Sequence, residues 1–243
     1  MLLRDNTARA KQIISIFWIM LGITVINIGS LVWQYLLVTN AQTDLANVDM
    51  QEINISDAAR QIILIVSLII TILAVIFFIM WFRRAYYNLH QLPWHNARYT
   101  DGWAAGSWFV PVIWFWWPYQ IMVDIWKGTQ NALRERLGEP QPQAIVGWWW
   151  ACFLISDIYG KINARFNRGA DELDELIVST KLDFIGELIS IPAILLAMQI
   201  VQRTSYFEKE LLIHSQTPTD SIFSDNYTPP LETAAPKLEN LKP

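Results

Sequence analysis

Cysteine is all but missing from this chain. One thiol, Cys152, in 243 residues excludes an internal disulfide framework. Charge is scarce as well: 16% of residues are Asp, Glu, Lys or Arg, against about a quarter in soluble domains. No dense basic block interleaved with aromatics occurs in a polar context, which argues against a nucleic-acid partner. There is no nucleophile set beside a base, no phosphate-cradling glycine loop and no metal-ligand cluster, so neither a cofactor nor a reaction class is expected. His90 and His95 lack the i, i+4 spacing of a helical metal site. The acids Asp171, Glu172, Asp174 and Glu175 lack the loop glycine and spacing of a calcium motif.

What the chain does have is apolar bulk, 53% hydrophobic residues with positive mean hydropathy, the composition of an integral membrane protein. No charge falls between Lys11 and Asp44. At ~1.5 Å per residue, the stretch 13–38 exceeds the ~30 Å of a hydrocarbon core. It is too long for a signal-peptide core and lacks a small-residue cleavage site, so it reads as a retained first span. Ser15, Gly22 and Gly29 recur every seven residues, a seam where a neighbour could approach. Asn27 is an amide suited to an interhelical hydrogen bond.

A polar loop is expected over 39–61, with Ser56 as N-cap of the second helix. Its poverty in Lys and Arg assigns it to the non-cytoplasmic side. The second span, 62–82, ends at Arg83 and Arg84, and the loop 83–101 is expected in the cytoplasm. Arg83, Arg84 and Asn88 at that end are candidate functional or head-group contacts.

The aromatic segment 102–123 is uncharged and long enough to span, but Pro111 and Pro118 each remove a backbone donor and predict a break between them. If the segment re-enters rather than crosses, Lys127, Arg134 and Arg136 join the cytoplasmic side, which the positive-inside rule prefers. After Pro118 an amphipathic helix is expected to lie in the interface, ended by Gly138 and Pro140. A third full span is expected over 144–164, where Asp157 and Lys161 stand at i, i+4 and the lysine can snorkel. Residues 165–183 read as a charged connection. A fourth span, 184–201, carries Glu187, Pro192 and a small-residue face of Gly186, Ser190, Ala193 and Ala197.

The expected fold is therefore all-α, a polytopic membrane helix bundle over residues 1–212. It has four full spans plus one proline-broken re-entrant or interfacial segment, with five full spans as the alternative. A proline-rich tail over 213–243 is expected to be disordered. The expected location is the bacterial cytoplasmic (inner) membrane, multi-pass, with a cytoplasmic N-terminus.

Three stretches taken together carry a resemblance: WFRRAYYNL (81–89), GWAAGSWFVPVIWFWWPYQIMVDIW (102–126) and GWWWACFLIS (147–156). With them the chain resembles a family of bacterial multi-pass membrane proteins known as domain of unknown function 4328. The likeness covers roughly residues 10–205. It departs between the prolines, where Ile113 to Trp117 are all apolar. The resemblance implies a fold and no activity.

Functionally, these features favour an accessory, structural or regulatory membrane subunit that works through protein or lipid contacts. The bilayer, a membrane-complex partner and a homo-oligomer are the expected associations. The alternative is a small-molecule or ion transporter or a lipid-binding module. Its candidates are Asp157, Lys161 and Glu187, since ionisable groups in a membrane are costly enough to mark function; Pro111 and Pro118 are the further candidates where broken backbone could line a cavity. A membrane enzyme using Glu187 or Asp157 as acid or base is the least favoured reading.

Overall fold

The computed structural model describes residues 3–43, 50–92, 97–134, 138–169 and 173–216. Among them every regular element is helical. Helix α1 spans Thr7–Thr43, α2 Met50–His90, α3 Trp103–Gly106 and α4 Trp117–Asn131. A 3-10 turn at Ile113–Phe115 precedes α4. Helix α5 spans Ala144–Phe166, and a 3-10 turn at Asn167–Gly169 separates it from α6, Leu173–Gln216. Of the tail expected to be disordered over 213–243, residues 213–216 belong to α6, and residues 217–243, like His95, lie outside the described residues.

Helices α1, α2 and α6 contain 37, 41 and 44 residues. At ~1.5 Å per residue each is roughly twice as long as the ~30 Å hydrocarbon core is thick. These three are long and apolar enough to cross a membrane. Helix α5 is not among them, so the expected count of four or five spans is not met on this measure. Its 23 residues include three consecutive tryptophans, Asp157 and Lys161, which lower its hydropathy.

The long helices also correct the expected loops. Helix α1 continues to Thr43 and α2 begins at Met50, leaving Ser56 buried within a helix instead of capping one. Helix α2 runs on to His90, and α6 takes in most of the charged connection. Loss of apolarity marks where lipid would end. It does not mark where backbone hydrogen bonding ends, because a polar helix continues in water when its side chains find partners.

Helix α6 packs against both α1 and α5, and α1 against α2. Where α1 begins, the near end, α2 and α6 finish; the other end of the bundle is the far end. The start of α1 is fixed by Asp5, whose carboxylate accepts the Thr7 N–H at 2.8 Å, an N-terminal cap. Hydrogen bonds from the Thr7 side chain and backbone hold the Asp5 carboxyl below the usual carboxylate range.

The buried residues of α1 recur at Ala10, Ile13, Phe17, Thr24, Asn27, Leu31 and Gln34, the spacing of one helical face. The Ser15, Gly22, Gly29 seam lies off that face. A Cβ added at Gly22 or Gly29 would meet nothing within 4 Å, so the expected close approach there does not occur. The seam on α6 does pack, for a Cβ at Gly186 would stand 3.1 Å from Tyr159 Cε1.

Residues 99–118 form a hairpin. Its arms meet at the base, where the Tyr99 and Trp117 rings stack at 4.1 Å and Trp103 meets Trp117 edge-on at 4.6 Å. Near its tip the Ile113 N–H donates to the Pro111 carbonyl at 2.8 Å, and Val112 has φ 69°, a γ-turn of the strained positive-φ kind. Pro118 sits in the first turn of α4, where its missing N–H costs nothing.

Helix α4 is not the one-sided interfacial helix expected. All six residues from Ile121 to Trp126 are buried, Asp124 among them, because α2, α5 and α6 surround it. Gly128 permits the α2 contact; a Cβ there would fall 2.2 Å from Leu89 Cδ1. The core, with Trp81, Phe82, Tyr86, Ile125, Trp126 and Ile200 fully buried, gathers at this near end. By contrast the first half of α2 exposes Ile62, Leu64, Ile65, Leu68 and Ile69, each more than half accessible, as a lipid-facing helix would.

Candidate intramembrane cavity

A cavity of about 460 Å³ opens between α1, α2, α5 and α6. Its walls are chiefly aliphatic, with Met20, Ile23, Ile70, Ala74 and Ile194 among them. Set into those walls are Thr24 and Asn27 of α1, Ser67 and Thr71 of α2, Ser156 and Asp157 of α5, and Glu187 and Ser190 of α6. Four helices thus each contribute polar groups to one apolar space, the composition of a small-molecule pocket.

The near-end floor is aromatic. Phe78 meets Trp108 edge-on at 5.7 Å and Trp149 at 5.9 Å, and Trp108 meets Phe153 at 6.1 Å. Trp108 comes from the hairpin, which thereby forms part of the cavity wall. A hydrogen bond from Trp150 Nε1 to the Phe115 carbonyl at 3.2 Å fixes the hairpin against α5.

Beyond the cavity, at the far end of the bundle, lies a polar knot around Asp183. Arg60 donates to both Asp183 and Gln34, while Asn163 and Asn167 donate to Asp183 at 2.7 and 2.9 Å. Tyr159 donates to the Leu182 carbonyl at 2.7 Å. One turn further along α6, Asn27 Nδ2 donates to Glu187 Oε1 at 2.5 Å, the interhelical bond expected of that amide.

Of the residues singled out from sequence, Asp157 and Glu187 line the cavity together. Lys161 does not line it, but donates to Asp157 Oδ2 at 2.6 Å and lies 4.8 Å above the Trp114 ring. Arg83, Arg84, Asn88, Pro111 and Pro118 do not line it. Arg83 is exposed and Arg84 half-buried at the near end; Pro111 is exposed in the γ-turn and Pro118 buried in α4.

Asn88 instead belongs to a buried polar cluster that ties the N-terminal residues to the bundle. Its Nδ2 donates to Glu208 Oε1 at 2.8 Å and to the Arg4 carbonyl at 2.9 Å, while its Oδ1 accepts the Arg4 N–H at 2.9 Å. Asn6 Nδ2 donates to Glu208 Oε2 at 3.0 Å and to the Trp81 carbonyl at 3.2 Å. Glu208 escaped the sequence reading because it lies past the last apolar run, where a carboxylate ordinarily faces water.

Asp124 forms a second near-end cluster, accepting the Arg98 N–H at 3.1 Å with the Arg98 guanidinium 3.4 Å away. Burial raises its carboxyl above the usual carboxylate range, against the smaller opposing pull of Arg98. His90 directs both ring nitrogens at carbonyl oxygens, of Tyr86 at 2.9 Å and Tyr99 at 3.0 Å. Among the described residues no group of His, Cys, Asp and Glu could hold a metal ion.

The chain belongs to the family described as Domain of unknown function (DUF4328), whose model matches residues 44–205. The match takes in α2, the hairpin, α4, α5 and α6 down to the near end, and leaves out α1 with its cavity residues Thr24 and Asn27. No curated protein and no solved structure matches the chain.

Proposed function

We propose that this member of the family is a multi-pass membrane protein that works by binding an apolar small molecule or lipid chain in the cavity, without catalysis. The observation that carries the reading is the cavity itself, about 460 Å³ of chiefly apolar space with a few polar groups from four helices. Pockets that hold small ligands have this size and this sparse polarity. Asp157 and Glu187 would orient the occupant, and Lys161 would hold Asp157 in place.

In this reading α5 is a fourth crossing, packed along α6, and the bundle sits in the bacterial inner membrane with its N-terminus in the cytoplasm. Support comes from Arg9, Arg83, Arg84 and Arg203, all at the near end, where a cytoplasmic face would hold them. The hairpin would enter from that same face and return to it, since its two arms meet at their base. Cysteines placed singly at Gly138 and Asp174 test the threading: in intact cells Asp174→Cys should label from outside and Gly138→Cys should not. The opposite pattern would remove the re-entrant hairpin.

Binding is tested by filling the space. Ala193→Phe projects an aromatic ring into the cavity from α6. Native mass spectrometry from lipid nanodiscs should show a retained lipid or small molecule on the wild type and its loss from this variant. Equal retention by both would overturn the proposal.

A further inference from the structure

The two ends of the cavity differ, and the difference selects an occupant. The near-end floor of Phe78, Trp108 and Trp149 is aromatic, whereas Asp157 and Glu187 supply the charge and, among the described residues, no Lys or Arg lines the wall. Asp157 is already answered by Lys161 at 2.6 Å. Glu187 is held by a neutral donor, Asn27 at 2.5 Å, and shares the wall with the Thr24 hydroxyl. The Arg60 guanidinium of the far-end knot is engaged by Asp183, one turn from Glu187 on α6. Among the described residues, one carboxylate at the wall of this apolar space is thus left without a paired cation.

We infer that the cavity takes an amphipathic organic cation, its charged head at Glu187 and its apolar body against the Phe78, Trp108 and Trp149 floor. This rests on the cavity-binding reading above and adds the charge of the ligand to it. A carboxylate in a low-dielectric wall discriminates strongly by charge. An anion would meet repulsion there, and a neutral molecule would gain only apolar contact. The aromatic floor adds apolar contact for the body of the ligand. Entry is possible from the bilayer side. Among the described residues α2 packs on α1, α3 and α4 but makes no extensive contact with α5 or α6.

Three probes of similar shape and different charge test this: tetraphenylphosphonium, tetraphenylsilane and tetraphenylborate, titrated by calorimetry into the full-length protein in zwitterionic nanodiscs, with empty discs subtracted. The cation should bind saturably and at least about tenfold more tightly than the neutral compound, and the anion should not bind. Glu187→Gln, whose side-chain oxygen still accepts from Asn27, should erase the preference and keep the neutral binding. Glu187→Asp, which keeps the charge, should retain a preference. Equal binding of cation and neutral probe by the wild type, or an unchanged preference in Glu187→Gln, would overturn the cation assignment and leave the cavity reading standing. Saturable binding of none of the three would overturn both. Binding of any probe that survives Ala193→Phe would place it outside the cavity and overturn the assignment.

Discussion

Arg60 of α2 and Asp183 of α6, 123 residues apart in sequence, form an ion pair at the far end of the bundle. About four-fifths of each side chain is buried. Through this pair and its neighbours Gln34, Asn163 and Asn167, the four long helices meet at a single carboxylate. The first half of α2 exposes much of its apolar surface, and the knot ties that half to α6 beside its packing on α1.

Removing one partner leaves the other charge buried and unanswered. Arg60→Ala or Asp183→Ala should each cost roughly 2–4 kcal/mol, and the double variant less than their sum, because truncating one member of a buried pair costs more than losing both. Thermal unfolding of the four proteins in one detergent provides the cycle. A sum that is strictly additive would mean the two residues do not interact.

How much of this was legible in the sequence follows from what each residue reports. Charge-free runs announced the apolar helices, the two prolines announced the break in the hairpin, and the lone Asn27 announced an interhelical bond. Each is a local signal with a single low-energy reading in lipid. The pairing of Arg60 with Asp183, and of Asn6 and Asn88 with Glu208, was not legible. These groups lie beyond the apolar runs, where a charged residue in a polar stretch reads as solvated. Only the continuation of helices α1, α2 and α6 past those runs brings such groups together. The convergence of Asp157 and Glu187 on one cavity was half legible: each is an ionisable group whose cost in a membrane marks it in the sequence, but their shared wall depends on how α5 lies against α6.

Val112 has φ 69° and is 85% exposed. A β-branched residue in that region is strained by about 1–3 kcal/mol, and this one buries almost nothing in return. Val112→Gly should therefore raise stability by about 1 kcal/mol, the relief of strain outweighing the added freedom of the unfolded chain. The control is Val25→Gly, at an exposed position within α1, which should lower stability by a similar amount. A drop in melting temperature for both variants would show that the γ-turn carries no strain.

Asp124 gives the fold a pH dependence whose sign can be derived. Its carboxyl is raised above the usual range in the folded protein, chiefly by burial, with hydrogen bonding and attraction from Arg98 opposing. The folded state therefore keeps this proton to a higher pH than the unfolded state does. Linkage then makes the group favour folding at low pH, with that contribution lost as pH rises from the unfolded carboxylate value, ~3.9, through the folded one. Asp124→Asn removes the titration and keeps an acceptor for the Arg98 N–H. Its stability should fall less than that of the wild type as the medium is brought from about pH 4 to pH 6.5, measured as the difference between the two unfolding curves. If the Arg98 contacts governed the carboxyl instead, the difference would have the opposite sign, with the wild type gaining on the variant as pH rises.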